Sequence, residues 1–469
     1  MRPSLALSAL VAAAASLVAG LSRAASLPPH LEVSGSPIAV VEVRPGAGRW
    51  RPASWGALGQ TPLDPGRYEL RITLTAASPG DALQLPLCAG RARVMLDGRE
   101  VPAPPGPVVL PLDPGAHRVV VALDVSPYER RIACGEPPRV GPSAPTVEGL
   151  GLLSFASPHA GRGGGRAVVY VPPGHDLRRP GPLLVGAHPW NGSAWTYAAY
   201  EELLREARAR DVVQLMPSGL GNSLYTADAE DEVLRAVQAL SEVVAVDPRA
   251  VSIWGASMGG AGATTIAFHN PDRFAGVTSF FGDSKYDLST YVRALLPGEA
   301  AAHRVNALDV VDNARHLPVW LIHGEADRTS PVRQSELLAA AMAARGFAVR
   351  FDRVPGVGHA GKLVARFLPA VVAAAATASA PAAPPRVTYR SVRPRDFMAY
   401  GVGIERASPA VDAFVDVELR DDAVHVRAAE GLRALVLARG ALGAAREHPP
   451  PIVVDDSTAA LETAWAPAP

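Results

Sequence analysis

Short apolar runs separated by polar turns occupy the first third of the chain. Residues 68–74, 92–96 and 117–123 are alternating or apolar, and turn signals such as Asp97-Gly98 lie between them. Alternation with a period of two is typical of strands that bury one face, and Asp-Gly and Pro-Gly pairs are typical of tight turns. The pattern therefore predicts an all-β sandwich over residues 30–140.

The pattern changes after a Pro-, Ser- and Gly-rich linker at residues 141–149. Helical apolar spacing is clearest at residues 195–210 and 228–244. The strand candidates lie at residues 151–156, 166–173, 182–188, 212–216, 250–254, 276–281, 318–322 and 348–354. Strands that alternate with helices predict a doubly wound α/β unit with a mostly parallel sheet over residues 150–375. In such sheets ligands bind beyond the carboxyl ends of the strands.

Two further features complete the domain prediction. Residues 282–317 interrupt the alternation, and the sequence leaves open a cap over the site or an ordinary structural excursion. After the α/β unit we predict an Ala/Pro-rich linker at residues 376–386, a small β accessory module at 387–443 and a loosely ordered tail at 444–469.

The N-terminus carries a charge, an apolar run and small residues, in that order. This is the pattern of a secretory signal peptide over residues 1–24, with an uncleaved membrane anchor as the alternative. We therefore expect a secreted or periplasmic protein whose mature chain has no integral membrane segment. Cys88 and Cys134 are the only cysteines. In an exported chain they predict a disulfide, and two buried free thiols are the alternative.

Composition excludes several classes of function. The 45 Lys and Arg residues balance 45 Asp and Glu residues, and no basic patch interleaved with aromatics suits a nucleic acid. The chain contains neither His-Glu-x-x-His nor a paired Cys-x-x-Cys, so we predict no metal and no cofactor. The glycine-rich stretch at residues 161–166 lacks the Lys-Ser/Thr ending of a phosphate loop, and we interpret it as a hairpin turn.

Candidate chemistry begins at Ser257, in the motif Gly-Ala-Ser-Met-Gly at residues 255–259. An apolar strand precedes the motif and small residues that suit a helix follow it, which is the order of a nucleophile elbow. The next two strand candidates lead into His-Gly-Glu-Ala-Asp, ending at Asp327, and Gly-Val-Gly-His, ending at His359. Each group follows a strand's carboxyl end, so the three are expected at one edge of the sheet.

With these motifs and the His-Pro-Trp-Asn-Gly loop at residues 188–192, the chain resembles the α/β-hydrolase superfamily, closest to its secreted esterase and prolyl-oligopeptidase-like branches. The resemblance covers about residues 150–375. It implies Ser257 as nucleophile, His359 as general base and Asp327 as the acid that orients it. It also implies an oxyanion hole at the backbone N–H of Met258. A proline at position 189 has no N–H, so Trp190 N–H is the second candidate.

Several assignments stay open at this point. Glu325 and Asp352 are alternatives to Asp327, although Asp352 should point away because it lies within a strand. His188 and His323 are expected to fix loops. The Trp190 ring either lies in the acyl pocket or packs as a lid. Lys285 and Tyr286 are candidate substrate contacts.

These predictions lead to a secreted serine hydrolase that cleaves a carboxylic ester, from a small molecule or a polymer and possibly a glycan. A prolyl-oligopeptidase-type peptidase is the runner-up, but such enzymes place a large repeat-built propeller before the catalytic unit. About 120 residues without a repeat are available here. The alternative from another class is a non-catalytic glycan-binding protein on a hydrolase scaffold. The sandwich is weakly similar to galactose-binding-like modules, although a purely packing role is favoured.

Overall fold

The computed structural model describes most of the chain. The described residues are 30–33, 40–53, 55–60, 62–76, 82–85, 87, 90–101, 108–127, 130–133, 139–140, 149–159, 165–288, 296, 298–454 and 461–467. Four apolar clusters organise them, two on the faces of a large mixed sheet and one inside each of two flanking β-sandwiches.

The N-terminal sandwich packs a six-stranded sheet, in the order β3-β2-β4-β9-β6-β7, against a three-stranded sheet, β10-β5-β8. Its elements and the strand before it are β1 (His30–Val33), β2 (Val40–Pro45), β3 (Arg51–Pro52), α1 (Trp55–Gln60), β4 (Gly66–Ala76), β5 (Ala82–Leu85), β6 (Gly90–Leu96), β7 (Arg99–Glu100), β8 (Val108–Pro111), β9 (Gly115–Val125) and β10 (Arg139–Val140). Alternate residues of β4, such as Leu70 and Ile72, are fully buried, as the period of two predicts.

The first strand corrects the predicted boundary of this sandwich. Strand β1 pairs antiparallel with a strand of the large sheet, with His30 opposite Ser154, and so lies outside the sandwich to which residues 30–140 were assigned. The physical reason is that a short strand pairs with whichever open edge it reaches, and four residues carry no signal for the partner.

The α/β unit is built on a nine-stranded sheet in the order β1-β11-β12-β14-β13-β15-β16-β17-β18. Strands from β14 to β18 are parallel to their neighbours, and β12, β11 and β1 continue the sheet antiparallel. The strands are β11 (Leu150–Phe155), β12 (Gly165–Tyr170), β13 (Gly181–Ala187), β14 (Val213–Pro217), β15 (Val246–Ala256), β16 (Gly276–Phe280), β17 (Val319–Gly324) and β18 (Val349–Val354). All eight predicted strands are present, and the predicted α/β class is confirmed.

Helices cover both faces of this sheet. They are α2 (Glu201–Arg210), α3 (Asp228–Ser241), α4 (Met258–His269), α5 (Glu299–His303), α6 (Arg333–Ala344) and α7 (Lys362–Thr377). One apolar cluster gathers buried side chains of α2 and α7, and the other gathers those of α3, α4 and α6. The sheet is therefore buried on both sides, which explains why its strands read as continuous apolar runs.

The segment after β16 packs against α4. It contains two 3₁₀ helices, Tyr286–Leu288 and Ala307–His316, and the short α5 between them. Val310 and Ala314 are fully buried in the core, and Thr265 of α4 donates a hydrogen bond of 2.9 Å to the Val305 carbonyl oxygen. The described part of residues 282–317 is thus a structural excursion rather than a lid. Residues 289–295 and 297 lie outside the described part.

The C-terminal module is a second sandwich of two four-stranded sheets, β19-β22-β23-β25 and β20-β21-β24-β26. Its strands are β19 (Arg386–Ser391), β20 (Met398–Ala399), β21 (Val402–Arg406), β22 (Ala413–Arg420), β23 (Ala423–Glu430), β24 (Leu432–Leu437), β25 (Ile452–Val454) and β26 (Glu462–Trp465). The last two correct the prediction of a loose tail from residue 444. They pair parallel with β23 and β24, so backbone hydrogen bonds to existing edges order them despite their weak apolar signal.

A buried ionic network joins this module to the α/β unit. Arg393 donates to Glu230 at 2.6 and 3.0 Å and to Asp396 at 2.8 Å from both Nε and Nη2, and His269 Nδ1 lies 2.7 Å from Asp396. Burial opposes ionisation of Asp396, but the charges of His269 and Arg393 outweigh it and lower its pKa to about 2. Buried charges are tolerated when they are paired in this way.

Two predictions concern residues outside the described part of the chain. These are the signal peptide at residues 1–24 and the disulfide between Cys88 and Cys134. Leu87 and Ala133, which precede the cysteines in sequence, form an isolated antiparallel bridge. Among the described residues, no helix combines the length and the apolar character that a membrane span requires.

Candidate active site

Ser257 lies at a sharp turn between β15 and α4. Its backbone is strained, with φ 56° and ψ −120°, and the two flanking glycines explain how the turn closes. A Cβ at Gly259 would lie 1.9 Å from the Ala187 carbonyl oxygen, and a Cβ at Gly255 would lie 2.3 Å from the Gly259 carbonyl oxygen. Both positions therefore require glycine, and the turn brings the serine against the loop that follows β13.

Three side chains form a continuous hydrogen-bonded line at the carboxyl edge of the sheet. His359 Nε2 lies 2.8 Å from Ser257 Oγ, and His359 Nδ1 lies 2.7 Å from Asp327 Oδ2. Asp327 follows β17 and His359 follows β18, so neighbouring parallel strands deliver both groups. The structure brings together the three residues that the sequence singled out, in the geometry of a serine nucleophile, its base and an orienting acid.

The environment of Asp327 keeps its carboxylate charged. The side chain is fully buried, and Oδ1 accepts hydrogen bonds from the N–H groups of Thr329 at 2.9 Å and Ser330 at 3.0 Å. Burial opposes ionisation, but hydrogen bonds from His323 and His359 outweigh it and hold the pKa of Asp327 well below its ordinary value. A charged Asp327 selects the His359 tautomer with its proton on Nδ1, which leaves Nε2 free to accept the Ser257 proton.

The two alternative acids lie elsewhere. Glu325 is exposed and pairs with Arg353, with 3.2 Å between the charged atoms. Asp352 accepts a hydrogen bond of 2.5 Å from Trp320 Nε1 and pairs with Arg350 at 2.8 Å. Neither carboxylate contacts His359, as expected for a strand residue such as Asp352 whose side chain faces away from the loop.

The candidate oxyanion hole lies between the first turn of α4 and the loop after β13. Met258 is the first residue of α4, and neither its N–H nor that of Trp190 has a hydrogen-bond acceptor among the described residues. The loop is fixed beside the elbow because Tyr197 donates a hydrogen bond of 2.9 Å to the Ala187 carbonyl oxygen and accepts one of 3.1 Å from Ala256 N–H. An oxyanion hole needs two such free donors, and Met258 N–H directly follows the nucleophile in the chain, with Trp190 N–H as the candidate for the second.

The three predicted substrate contacts lie in different environments. Tyr286 is 1% exposed and donates its hydroxyl hydrogen to the Leu224 carbonyl oxygen at 3.3 Å, so the structure places it in the core and its role as a substrate contact stays a prediction. The Lys285 ammonium lies 3.5 Å from Asp287 on the same segment. Trp190 is partly buried and packs against the core.

The two histidines expected to fix loops do so. His188 is 1% exposed, with ring nitrogens 2.9 Å from the Pro189 carbonyl oxygen and 2.8 Å from the Ser218 carbonyl oxygen. Burial lowers the pKa of His188. His323 is fully buried and contacts Ser335 Oγ and the Ser330 carbonyl oxygen, both at 2.8 Å. These contacts shape the loops on either side of the triad.

Two residues beside the site are not among those predicted from the sequence. Phe281 has a positive φ of 40° and places its ring 4.5 Å from the His359 ring in an edge-on contact. Tyr225 is fully buried, and its hydroxyl oxygen accepts a hydrogen bond of 2.7 Å from His188 N–H. An aromatic residue one position after a buried strand could have suggested Phe281, whereas Tyr225 lies in a loop whose path the sequence does not reveal.

Within the described ranges, no group of three His, Cys, Asp or Glu side chains is placed to hold a metal ion. The geometry supports nucleophilic attack by Ser257 with proton transfer through His359.

Comparison with known proteins agrees with this geometry. The model of the prolyl oligopeptidase family matches residues 221–367, a stretch that contains Ser257, Asp327 and His359. The chain is similar to that family over this stretch, and its sheet and serine turn have the α/β-hydrolase fold. The site is that of a serine hydrolase. A search of curated proteins finds no match to the chain.

Among solved structures, the chain is similar to an S-formylglutathione hydrolase from Agrobacterium tumefaciens, with 20% identity and a TM-score of 0.44 over 49% of this chain and 96% of that one. It is also similar to a truncated carbohydrate esterase from gut microbiota, with 18% identity and a TM-score of 0.38 over 45% of this chain and 90% of that one. A dipeptidyl peptidase 4 from Porphyromonas gingivalis is 16% identical, with a TM-score of 0.37 over 44% of this chain and 33% of that one.

Proposed function

We propose that the protein is an exported esterase that hydrolyses a carboxylic ester through Ser257, His359 and Asp327. The observation that carries the proposal is the hydrogen-bonded line from Ser257 Oγ through His359 to Asp327 at the strained elbow. His359 Nε2 takes the hydroxyl proton while Oγ attacks the acyl carbon. The developing oxyanion accepts hydrogen bonds from the N–H groups of Met258 and Trp190.

The second half of the reaction uses the same groups. The His359 imidazolium, stabilised by the Asp327 carboxylate, protonates the leaving alcohol, and an acyl-enzyme on Ser257 remains. Water then enters, His359 takes one of its protons, and the hydroxide oxygen attacks the acyl carbon. Collapse of the second tetrahedral intermediate returns the proton to Ser257 Oγ and releases the acid.

A serine peptidase of the prolyl-oligopeptidase type is the second candidate, because the matching family model bears that name. The resemblance to that branch implies a large propeller ahead of the catalytic unit. The described residues between β1 and β11 instead form one sandwich of six and three strands. This difference favours ester substrates over peptides.

The experiment compares esters with amides on one purified protein and on Ser257→Ala. We expect p-nitrophenyl acetate turnover in the native protein, slower or no release from proline-containing peptide amides, and no turnover in Ser257→Ala. Peptide cleavage that exceeds ester cleavage would make the peptidase the better assignment. Binding to glycans without any turnover by the native protein would instead favour the non-catalytic alternative.

For the natural substrate we propose an ester carried by a polymer or a glycan, such as an acetylated or feruloylated polysaccharide. Support comes from the two β-sandwiches that flank the catalytic unit. Release of acetate or ferulate from such polysaccharides, absent with Ser257→Ala, is the expected result. Efficient cleavage of p-nitrophenyl esters with no release from any such polysaccharide would overturn this choice of substrate.

We also propose export, with removal of residues 1–24 and a disulfide between Cys88 and Cys134. Support for the disulfide is the β-bridge between Leu87 and Ala133, the residues that precede the two cysteines. Intact mass of protein recovered from the periplasm or medium should match a chain that begins at Ala25. The same sample should bind an alkylating reagent only after reduction, and alkylation without reduction would contradict the disulfide.

A further inference from the structure

The backbone of the loop after β13 leaves one hydrogen-bond donor unused. His188 N–H donates to Tyr225 Oη at 2.7 Å, Asn191 N–H donates to Asn222 Oδ1 at 2.6 Å, and Gly192 N–H donates to the Pro189 carbonyl oxygen at 2.8 Å. Pro189 has no N–H. Trp190 N–H is then the donor of residues 188–192 for which no described residue supplies an acceptor.

Among the described residues, the hydrogen-bond partners that this loop finds outside itself come from one segment, residues 218–227, between β14 and α3. Besides the bonds that Tyr225 and Asn222 accept, the Asn222 side-chain amide donates to Asn191 Oδ1 at 2.8 Å. The Ser218 carbonyl oxygen contacts His188 Nε2 at 2.8 Å. Four contacts therefore link the two segments on either side of Trp190.

The Tyr225 ring is itself held rigidly. It is fully buried, and a Cβ would come within 2.3 Å of the ring at Gly219 and within 2.5 Å at Gly262. Gly262 belongs to α4, the helix that begins beside Ser257. The ring thus lies between α4 and the loop of residues 188–192. Its close packing leaves the hydroxyl little freedom to move with His188 N–H.

The segment adopts a conformation that its own residues disfavour. Leu220, Leu224, Tyr225 and Ala227 all have φ between 50° and 57°, although none is glycine. Such backbone persists only where the surroundings fix it, and it concentrates at functional sites. Part of that support comes from the C-terminal sandwich, because Arg395 donates a hydrogen bond of 3.1 Å to the Ala227 carbonyl oxygen.

We infer that Tyr225 and Asn222 are positioning residues that hold Trp190 N–H in the oxyanion hole. The inference rests on the proposed function. Loss of the Tyr225 hydroxyl leaves a buried His188 N–H without a hydrogen-bond acceptor. The backbone at residues 188–190 then rotates so that this N–H reaches another acceptor. Trp190 N–H then moves away from the developing oxyanion. Because that charge exists only in the transition state, kcat falls while KM stays nearly constant.

The test is Tyr225→Phe, with Tyr400→Phe as matched control. Tyr400 also buries a hydroxyl that makes one hydrogen bond, 2.8 Å to the Pro271 carbonyl oxygen, but it lies at the C-terminal sandwich. We expect Tyr225→Phe to lower kcat for p-nitrophenyl acetate about 10-fold, below the 10²–10³ that losing a whole donor costs. The phosphonylation rate with a fluorophosphonate should fall in parallel, and Tyr400→Phe should keep native kcat.

Asn222→Ala provides an independent variant if Tyr225→Phe does not fold, because Asn222 is exposed. It too should lower kcat at constant KM. An unchanged kcat in the folded variants, or a change in KM alone, would overturn the positioning role and leave the proposed function intact. A native protein that neither reacts with the fluorophosphonate nor turns over ester would overturn both.

Discussion

Substituting Asp327 by asparagine reverses a single hydrogen bond at the centre of the proposed mechanism. Oδ1 of Asp327 accepts two backbone N–H groups, from Thr329 and Ser330, so the amide oxygen of an asparagine must take that place. The amide nitrogen then faces His359 Nδ1, 2.7 Å away in the native protein. A donor in that position forces the imidazole proton onto Nε2, where it opposes the Ser257 hydroxyl.

The expected loss follows from this wrong tautomer. Neutral His359 can no longer accept the Ser257 proton at Nε2, and the imidazolium that forms later lacks its carboxylate. The same exchange in a serine protease triad lowers kcat by about 10⁴, which is about 5.4 kcal/mol of transition-state stabilisation at 1.36 kcal/mol per tenfold. We therefore expect Asp327→Asn to lower kcat for p-nitrophenyl acetate by about 10⁴ near neutral pH.

The assay is steady-state hydrolysis by native and variant proteins whose circular dichroism spectra match. Asp352→Asn is the control. Asp352 is an alternative acid in the sequence, but its carboxylate contacts Trp320 rather than His359. It should keep kcat within about twofold. A fall of less than tenfold in folded Asp327→Asn would refute the reasoning, and a larger fall in Asp352→Asn would identify a different acid.

Three further predictions concern stability. Gly259→Ala should abolish activity and lower the melting temperature, because its Cβ would lie 1.9 Å from the carbonyl oxygen of Ala187, the last residue of β13; a native melting curve would contradict the clash. Arg393→Ala should lower the free energy of unfolding by about 3–5 kcal/mol, since it leaves Glu230 buried without its main partner, and urea denaturation measures this. For His303, burial opposes charge, but Asp412 and Asp309 outweigh it and raise the pKa above its ordinary value. A raised pKa stabilises the fold below about pH 6.5 and loses that effect as pH rises through the folded value. The stability lost in His303→Gln should therefore shrink from acidic to alkaline pH, and a pH-independent loss would contradict it.

The sequence predicts the α/β sheet well because its central strands, β13, β14, β16 and β17, are almost entirely buried. Apolar runs of five to seven residues, such as 182–188 and 318–322, stand out against amphipathic helices. The order of the catalytic candidates was also readable, since Ser257, Asp327 and His359 each follow a strand. The sequence does not decide between Asp327 and Glu325, because two residues of spacing in a loop do not tell where a side chain points.

Long-range pairing explains what the sequence missed. Strand β1 joins the edge at β11, more than one hundred residues away, and β25 has three residues with no alternation to detect. Tyr225 reaches residue 188 through a loop in which four residues other than glycine adopt positive φ, and the sequence gives no signal for this. Tyr286 is a candidate substrate contact from the sequence, yet it is buried in the apolar core.

The most direct test of the account is fluorophosphonate labelling of the purified protein, followed by mass spectrometry of its peptides. We expect one adduct, on the peptide that contains Ser257, and none on Ser257→Ala. Ser257 is the residue whose hydroxyl lies 2.8 Å from His359 Nε2, so the reagent should react there. A folded native protein without an adduct, or an equal adduct on Ser257→Ala, would contradict the assignment of Ser257 as nucleophile.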